Sequence, residues 1–183
     1  MKHPLEFIPS AKRKWIFVIA LVWTLAMFAN FRPLDEPLRN PASPNGTVSF
    51  ELAGTPAAAQ AMIDSWDART REIAAFSLGL DYLFMPVYAI ALSLGILLAL
   101  GRHSGWFASL GAWLGWGAFA AAVFDAVENL GLYQSLINGV TFWPQVSAVC
   151  ATLKFALIAV GVVYSVLGGI LPRRRPEQVE GPK

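Results

Sequence analysis

Four uninterrupted apolar runs constrain this chain more than any other feature. Residues 15–31 carry no charge, residues 73–100 carry only Asp81, residues 105–124 carry none, and residues 145–171 carry only Lys154. A bilayer core about 30 Å thick needs roughly twenty helical residues at about 1.5 Å each, and every run meets or nearly meets that length. No run alternates polar and apolar residues with a period of two, as a membrane barrel requires. A chain of 183 residues that is 56% hydrophobic and 14% charged is also too apolar for a soluble domain. The expected fold is all-α: a polytopic four-transmembrane-helix bundle with spans at about 15–31, 73–100, 105–137 and 145–171.

Basic residues set the expected orientation. Lys2, Lys12, Arg13 and Lys14 precede the first span, Arg102 lies between the second and third, and Arg173, Arg174, Arg175 and Lys183 follow the fourth. The long 32–72 connection has four arginines against six acids, Asp35, Glu36, Glu51, Asp64, Asp67 and Glu72. Residues 1–14 and the tail are therefore expected in the cytoplasm, and the 32–72 loop outside. The first run is long for a secretory signal core, and "LAMFAN" offers no clean small-x-small cleavage site, so it reads as an uncleaved anchor. With a net charge of only +2, the basic clusters read as topology signals, not as nucleic-acid sites. They would also favour anionic lipid at the inner leaflet. Cys150 is the one cysteine, so no internal disulfide holds the loop.

The loop divides in two. "PLDEPLRNPASPNGTVS", residues 33–49, reads as an extended, turn-rich crossing. After "FELAG", Thr55-Pro56 reads as an N-cap with proline at the first helical position. A short amphipathic helix over 56–70 is expected to lie as a lid on the bilayer surface, with Trp66 as an interfacial anchor. Residues 172–183, "PRRRPEQVEGPK", read as a disordered tail.

The isolated charges share one depth. Asp81 lies 21 residues before Arg102, Asp125 lies 22 after His103, and Lys154 lies 19 before Arg173. At about 1.5 Å per residue, each falls near 30 Å from the inner boundary, at the outer edge of the hydrocarbon. Charges there could simply end the spans, but the apolar runs continue past them, which argues for a bundle extended beyond the bilayer with its charges facing inward. Asp125, Glu128 and Asn129 stand at i, i+3 and i+4, on one helical face. Ser77, Asp81, Phe84 and Tyr88 form one stripe of the second span, and Ser147, Cys150, Lys154, Gly161 and Ser165 one stripe of the fourth. The candidate binding set is Ser77, Asp81, Tyr88, Asp125, Glu128, Asn129 and Lys154. Its three carboxylates against one ammonium call for a bound proton, a cation, Arg69 or Arg71 folded in, or a cationic ligand. His3 and His103 lie at the far end, so neither a transition metal nor a cofactor is expected. Pro86 should kink the second helix by removing the partner of the Tyr82 carbonyl. "GAWLG" places Gly111 and Gly115 as a small-x-x-x-small pair, suited to close packing within the chain or to an oligomer face. Trp15, Trp106 and Trp143 read as belt residues.

"AAFSLGLDYLF", "DAVENLGL" and "LKF", in that order, resemble a group of small bacterial membrane proteins with four spans and no assigned activity. The likeness covers most of residues 48–168 and coincides at Asp81, Asp125, Glu128, Asn129 and Lys154. It implies a multi-pass protein of the bacterial cytoplasmic membrane, and no chemistry. Two function classes follow from the residues. One is an outward-facing polar pocket that binds a small amphiphile, lipid headgroup or cation, with or without transport. The other is a membrane-embedded enzyme in which the carboxylate–lysine cluster moves a proton on a lipid-like substrate.

Overall fold

The computed structural model describes residues 1–101, 103 and 105–171. The expected disordered tail and Arg102 lie outside the described residues. Among the described residues six α-helices follow in order: α1 (Ser10–Asp35), α2 (Thr47–Glu51), α3 (Pro56–Ser65), α4 (Ala68–Leu100), α5 (Trp106–Asn138) and α6 (Trp143–Ile170). A 3-10 turn at Glu36–Leu38 follows α1, and no strand occurs among the described residues. Helices α1, α4, α5 and α6 are each long and apolar enough to cross a membrane. At 33 residues, α4 and α5 run about 50 Å, well beyond a hydrocarbon core of about 30 Å. Each of the four long helices extends past at least one expected span boundary because helical hydrogen bonding continues where the apolar run stops.

α4, α5 and α6 pack on one another, while α1 packs on α4. No residue of α1 is buried, and Val22, Trp23, Leu25 and Phe28 are open, so its apolar surface faces outward on most sides. α4 runs as one helix through Pro86. At one end of the helices the segment before α1 folds back: Leu5 packs against Leu94 and Leu97, and the Trp116 indole N–H donates to the Lys2 carbonyl at 3.1 Å. The His3 ring lies directly over Gly115, where a Cβ would collide with it. Burial, with Arg13 nearby, pushes the His3 imidazole down to about 4, so the ring sits there neutral at pH 7. Gly111 is covered in the same way by the Tyr164 ring, whose hydroxyl donates to the Phe107 carbonyl at 2.8 Å. Gly111 and Gly115 are thus packed from within the chain, by the Tyr164 and His3 rings.

The segment between α1 and α4 is more structured than a turn-rich crossing. α1 continues through Pro33, and the Asp35 carboxylate then accepts from the Thr47 N–H at 2.7 Å and from the Arg39 guanidinium at 2.8 Å. Gly46, at φ +56°, passes so close to that carboxylate that a Cβ would overlap it, so glycine is required on two counts. α3 begins as its sequence suggests, with the Thr55 hydroxyl accepting from the Ala58 N–H. It stops at Ser65, short of the expected residue 70, because Asp67 caps a new helix by accepting from the Thr70 N–H at 2.7 Å. Arg71 secures the corner by donating to the Ile63 and Trp66 carbonyls. Trp66 is not an interfacial anchor. It is 3% exposed, packs edge-on against Phe50, and donates its indole N–H to the Leu38 carbonyl at 3.0 Å. A buried tryptophan is favourable once its N–H has a partner, and here Leu38 supplies one. Leu38, Phe50, Ala59, Ile63 and Trp66 join Ala74 and Leu78 of α4 and Leu132 of α5 in a single apolar cluster.

Candidate functional site

Directly beneath that cluster, polar side chains from four helices converge. Counting along each axis, Asp81 is roughly 30 Å from the far end of α4 and Lys154 roughly 25 Å from the far end of α6. Asp125, Glu128 and Asn129 meet them at the same height. All three α5 residues are buried, at 3%, 0% and 1% exposure, and Lys154 is buried at 4%. The Asp-x-x-Glu-Asn spacing therefore places its polar groups on the inner face of α5, as i, i+3, i+4 geometry requires.

Lys154 is the centre. Its Nζ donates to Asp125 Oδ1 at 2.9 Å and to Glu128 Oε1 at 2.9 Å, with Glu128 Oε2 also 2.9 Å away but off the hydrogen-bond direction. The second Asp125 oxygen accepts from the Tyr88 hydroxyl at 2.9 Å. Asn129 donates to Asp81 Oδ2 at 2.8 Å and to the Leu78 carbonyl at 3.3 Å. The Ser147 hydroxyl ties α6 to α5 by donating to the Glu128 carbonyl at 3.1 Å, an approach that depends on Gly131, where a Cβ would strike that hydroxyl. Six of the seven residues singled out from the sequence thus fall into two hydrogen-bonded groups at one height, Lys154 with Asp125, Glu128 and Tyr88, and Asn129 with Asp81. Ser77 is buried on the same face of α4 without a hydrogen bond to the set. Asp81 makes no ion pair with Lys154; the hydrogen-bond partners of the lysine are Asp125 and Glu128.

A fourth carboxylate completes the ring, and sequence reasoning missed it. Glu51, the last residue of α2, enters from the segment between α1 and α4, with Oε1 3.7 Å from Lys154 Nζ. In the sequence it is one of the six acids of the 32–72 loop. The available signal was "FELAG", where the acid sits between Phe50 and Leu52 in an otherwise polar stretch. Burial pushes the Glu51 carboxyl above the ordinary carboxylate range, and the Lys154 ammonium only partly draws it back. The lid position expected for the 56–70 helix is taken at the cluster by α2, which touches both α5 and α6. The site is also enclosed around the lysine: Glu51, Asp125, Glu128, Asn129 and Lys154 are all buried, and Asp81 is partly buried.

Electrostatically the set is unbalanced. Glu51, Asp81, Asp125 and Glu128 face one ammonium, while Arg71 is engaged at the α3–α4 corner and Arg69 pairs with Glu72 at the surface. Glu51 Oε2, Glu128 Oε2 and Asn129 Oδ1 are buried acceptors with no hydrogen-bond donor. Such atoms are costly unless a proton or donor is supplied. The arrangement is therefore built to receive positive charge or hydrogen-bond donors. Comparison with family models, with curated proteins and with solved structures finds no match, so the resemblance noted above adds neither fold nor activity.

Proposed function

We propose that the chain is a multi-pass protein of the bacterial cytoplasmic membrane, with residues 1–14 inside and the α2–α3 segment outside. In this reading the closed carboxylate–lysine cluster binds the protonated amine of a small amphiphile or lipid headgroup. The observation that carries it is the acceptor-only character of the buried atoms left without donors, in a site already negative by charge count. An ammonium group brings N–H donors and a positive charge together, and Lys154 shows how one is held between Asp125 and Glu128. The site's height, at the outer edge of the apolar helices, suits a molecule whose tail stays in lipid while its head enters polar surroundings. Its closed state corresponds to an occluded step of binding or transport. Proton transfer on a lipid-like substrate by the same residues has no placed nucleophile in its favour.

Thermal unfolding of the detergent-solubilised protein should test this. Medium-chain alkylamines should raise the melting temperature at pH 8, by the equivalent of about 2.7 kcal/mol at a hundredfold excess over Kd. The shift should shrink at pH 5, where carboxylate protonation competes, and vanish in Glu128→Gln. Separate arms with sodium, potassium, magnesium and calcium chlorides, and N-methylglucamine chloride as the ionic-strength control, distinguish a metal ion from an ammonium. A response to inorganic cations alone, no response at all, or an undiminished response in Glu128→Gln contradicts the assignment.

A further inference from the structure

Glu51 and Glu128 come from different layers of the molecule, one from the outer segment and one from a membrane helix, yet their carboxyl groups converge on one ammonium: Lys154 Nζ lies 3.7 Å from Glu51 Oε1 and 2.9 Å from Glu128 Oε2. Each has its Oε2 buried without a donor. Two ionised carboxylates in that position would repel, whereas a proton on one makes it the donor that the other lacks. We infer that Glu51 and Glu128 share a single proton, and that this proton latches α2 over the cluster and closes it. The inference deepens the proposed function by naming the ion exchanged there; it rests on that reading only for what the opening admits, not for the latch itself.

The surroundings fit a latch. The charged and titratable groups facing the pair are Asp81 and Tyr88 from α4, Asp125 from α5, and Lys154 and Cys150 from α6, while the outer segment contributes Glu51 itself. Lys154 is already engaged by Asp125 and Glu128, so its 3.7 Å contact to Glu51 is the weakest of the three. α2 is flanked by Gly46 and Gly54, at φ +56° and +66°, which bound the segment at backbone positions favouring glycine. Loss of the proton would leave a buried carboxylate at the end of a five-residue helix, whose release toward water relieves both its desolvation and its repulsion by Glu128.

Cys150 is a native reporter. It is buried one turn before Lys154 on α6, the helix that α2 touches, and it is the sole cysteine. Its labelling by a membrane-impermeant maleimide, divided by the rate in denatured protein at the same pH, removes the thiol's own titration from the measurement. In wild type, protection should hold at acidic pH and then fall by about tenfold per pH unit above the release point, the slope of a one-proton equilibrium. Glu51→Gln should stay protected throughout, because its amide N–H donates to Glu128 without a proton to lose. Glu51→Ala should be unprotected even at acidic pH. Wild-type protection that does not change with pH, or Glu51→Gln losing protection as wild type does, overturns the latch. Either outcome leaves the amine-dependent thermal shift free to stand or fall separately.

Discussion

Lys154→Met is expected to destabilise the detergent-solubilised protein by about 3–5 kcal/mol, the cost of removing one partner from a buried ion pair. The lysine is 4% exposed, and without it Asp125, Glu128 and Glu51 face one another with no compensating charge. Methionine matches the aliphatic stem, so lost packing contributes little. Combining Lys154→Met with Glu128→Gln removes one of the stranded charges, and part of the loss should return. Denaturant or thermal unfolding of the four proteins in the cycle measures this directly. A single variant that melts within about 1 kcal/mol of wild type would mean that the charges are solvated, as surface pairs are, and not enclosed.

Phe50→Ala should be comparably severe, at about 3–5 kcal/mol, for a different reason. Phe50 is 1% exposed and fills the apolar cluster above the polar site, edge-on to Trp66. It is also the residue next to Glu51, so its ring seats the helix that carries the fourth carboxylate. The variant should therefore expose Cys150 to maleimide at a pH where wild type is protected. Val48→Ala, at a side chain 41% exposed on the same short helix, should change stability by no more than about 0.5 kcal/mol. If Phe50→Ala loses stability but keeps Cys150 covered, Phe50 supports the core without positioning Glu51.

The long helices were readable because each apolar run is continuous and bilayer-sized, a signal that depends on no tertiary contact. The polar layer was readable for a related reason. Helical rise converts sequence separation into depth, and i, i+3, i+4 spacing puts Asp125, Glu128 and Asn129 on one side. What escaped depends on contacts between distant segments. Nothing local tells Glu51 from the other loop acids until Phe50 is seen packed on Trp66, since an acid beside an apolar anchor can point either way. Trp66 carries an ordinary interfacial signal and is withdrawn from the interface by the Phe50 ring and by two acceptors for its N–H, the Leu38 carbonyl and the Ser43 hydroxyl, 28 and 23 residues earlier. Gly111 and Gly115 announced close packing correctly, but the occupants, Tyr164 and His3, lie far away in sequence. Closure of the site follows from the same gap: without Glu51 and α2 in place, the cluster read as an open pocket.

The most direct measurement of the central claim is calorimetric titration of the purified protein with a medium-chain alkylamine in two buffers of different ionisation enthalpy. Binding to wild type at pH 7 is predicted to show one site and a heat that depends on the buffer, because the incoming ammonium displaces the proton held by the carboxylates. Asp125→Asn and Glu128→Gln should each weaken binding by tenfold or more, about 1.4 kcal/mol or above. Amine binding that is equally tight in wild type and both variants, or no binding to folded wild-type protein, would contradict the assignment of the cluster as the ligand site.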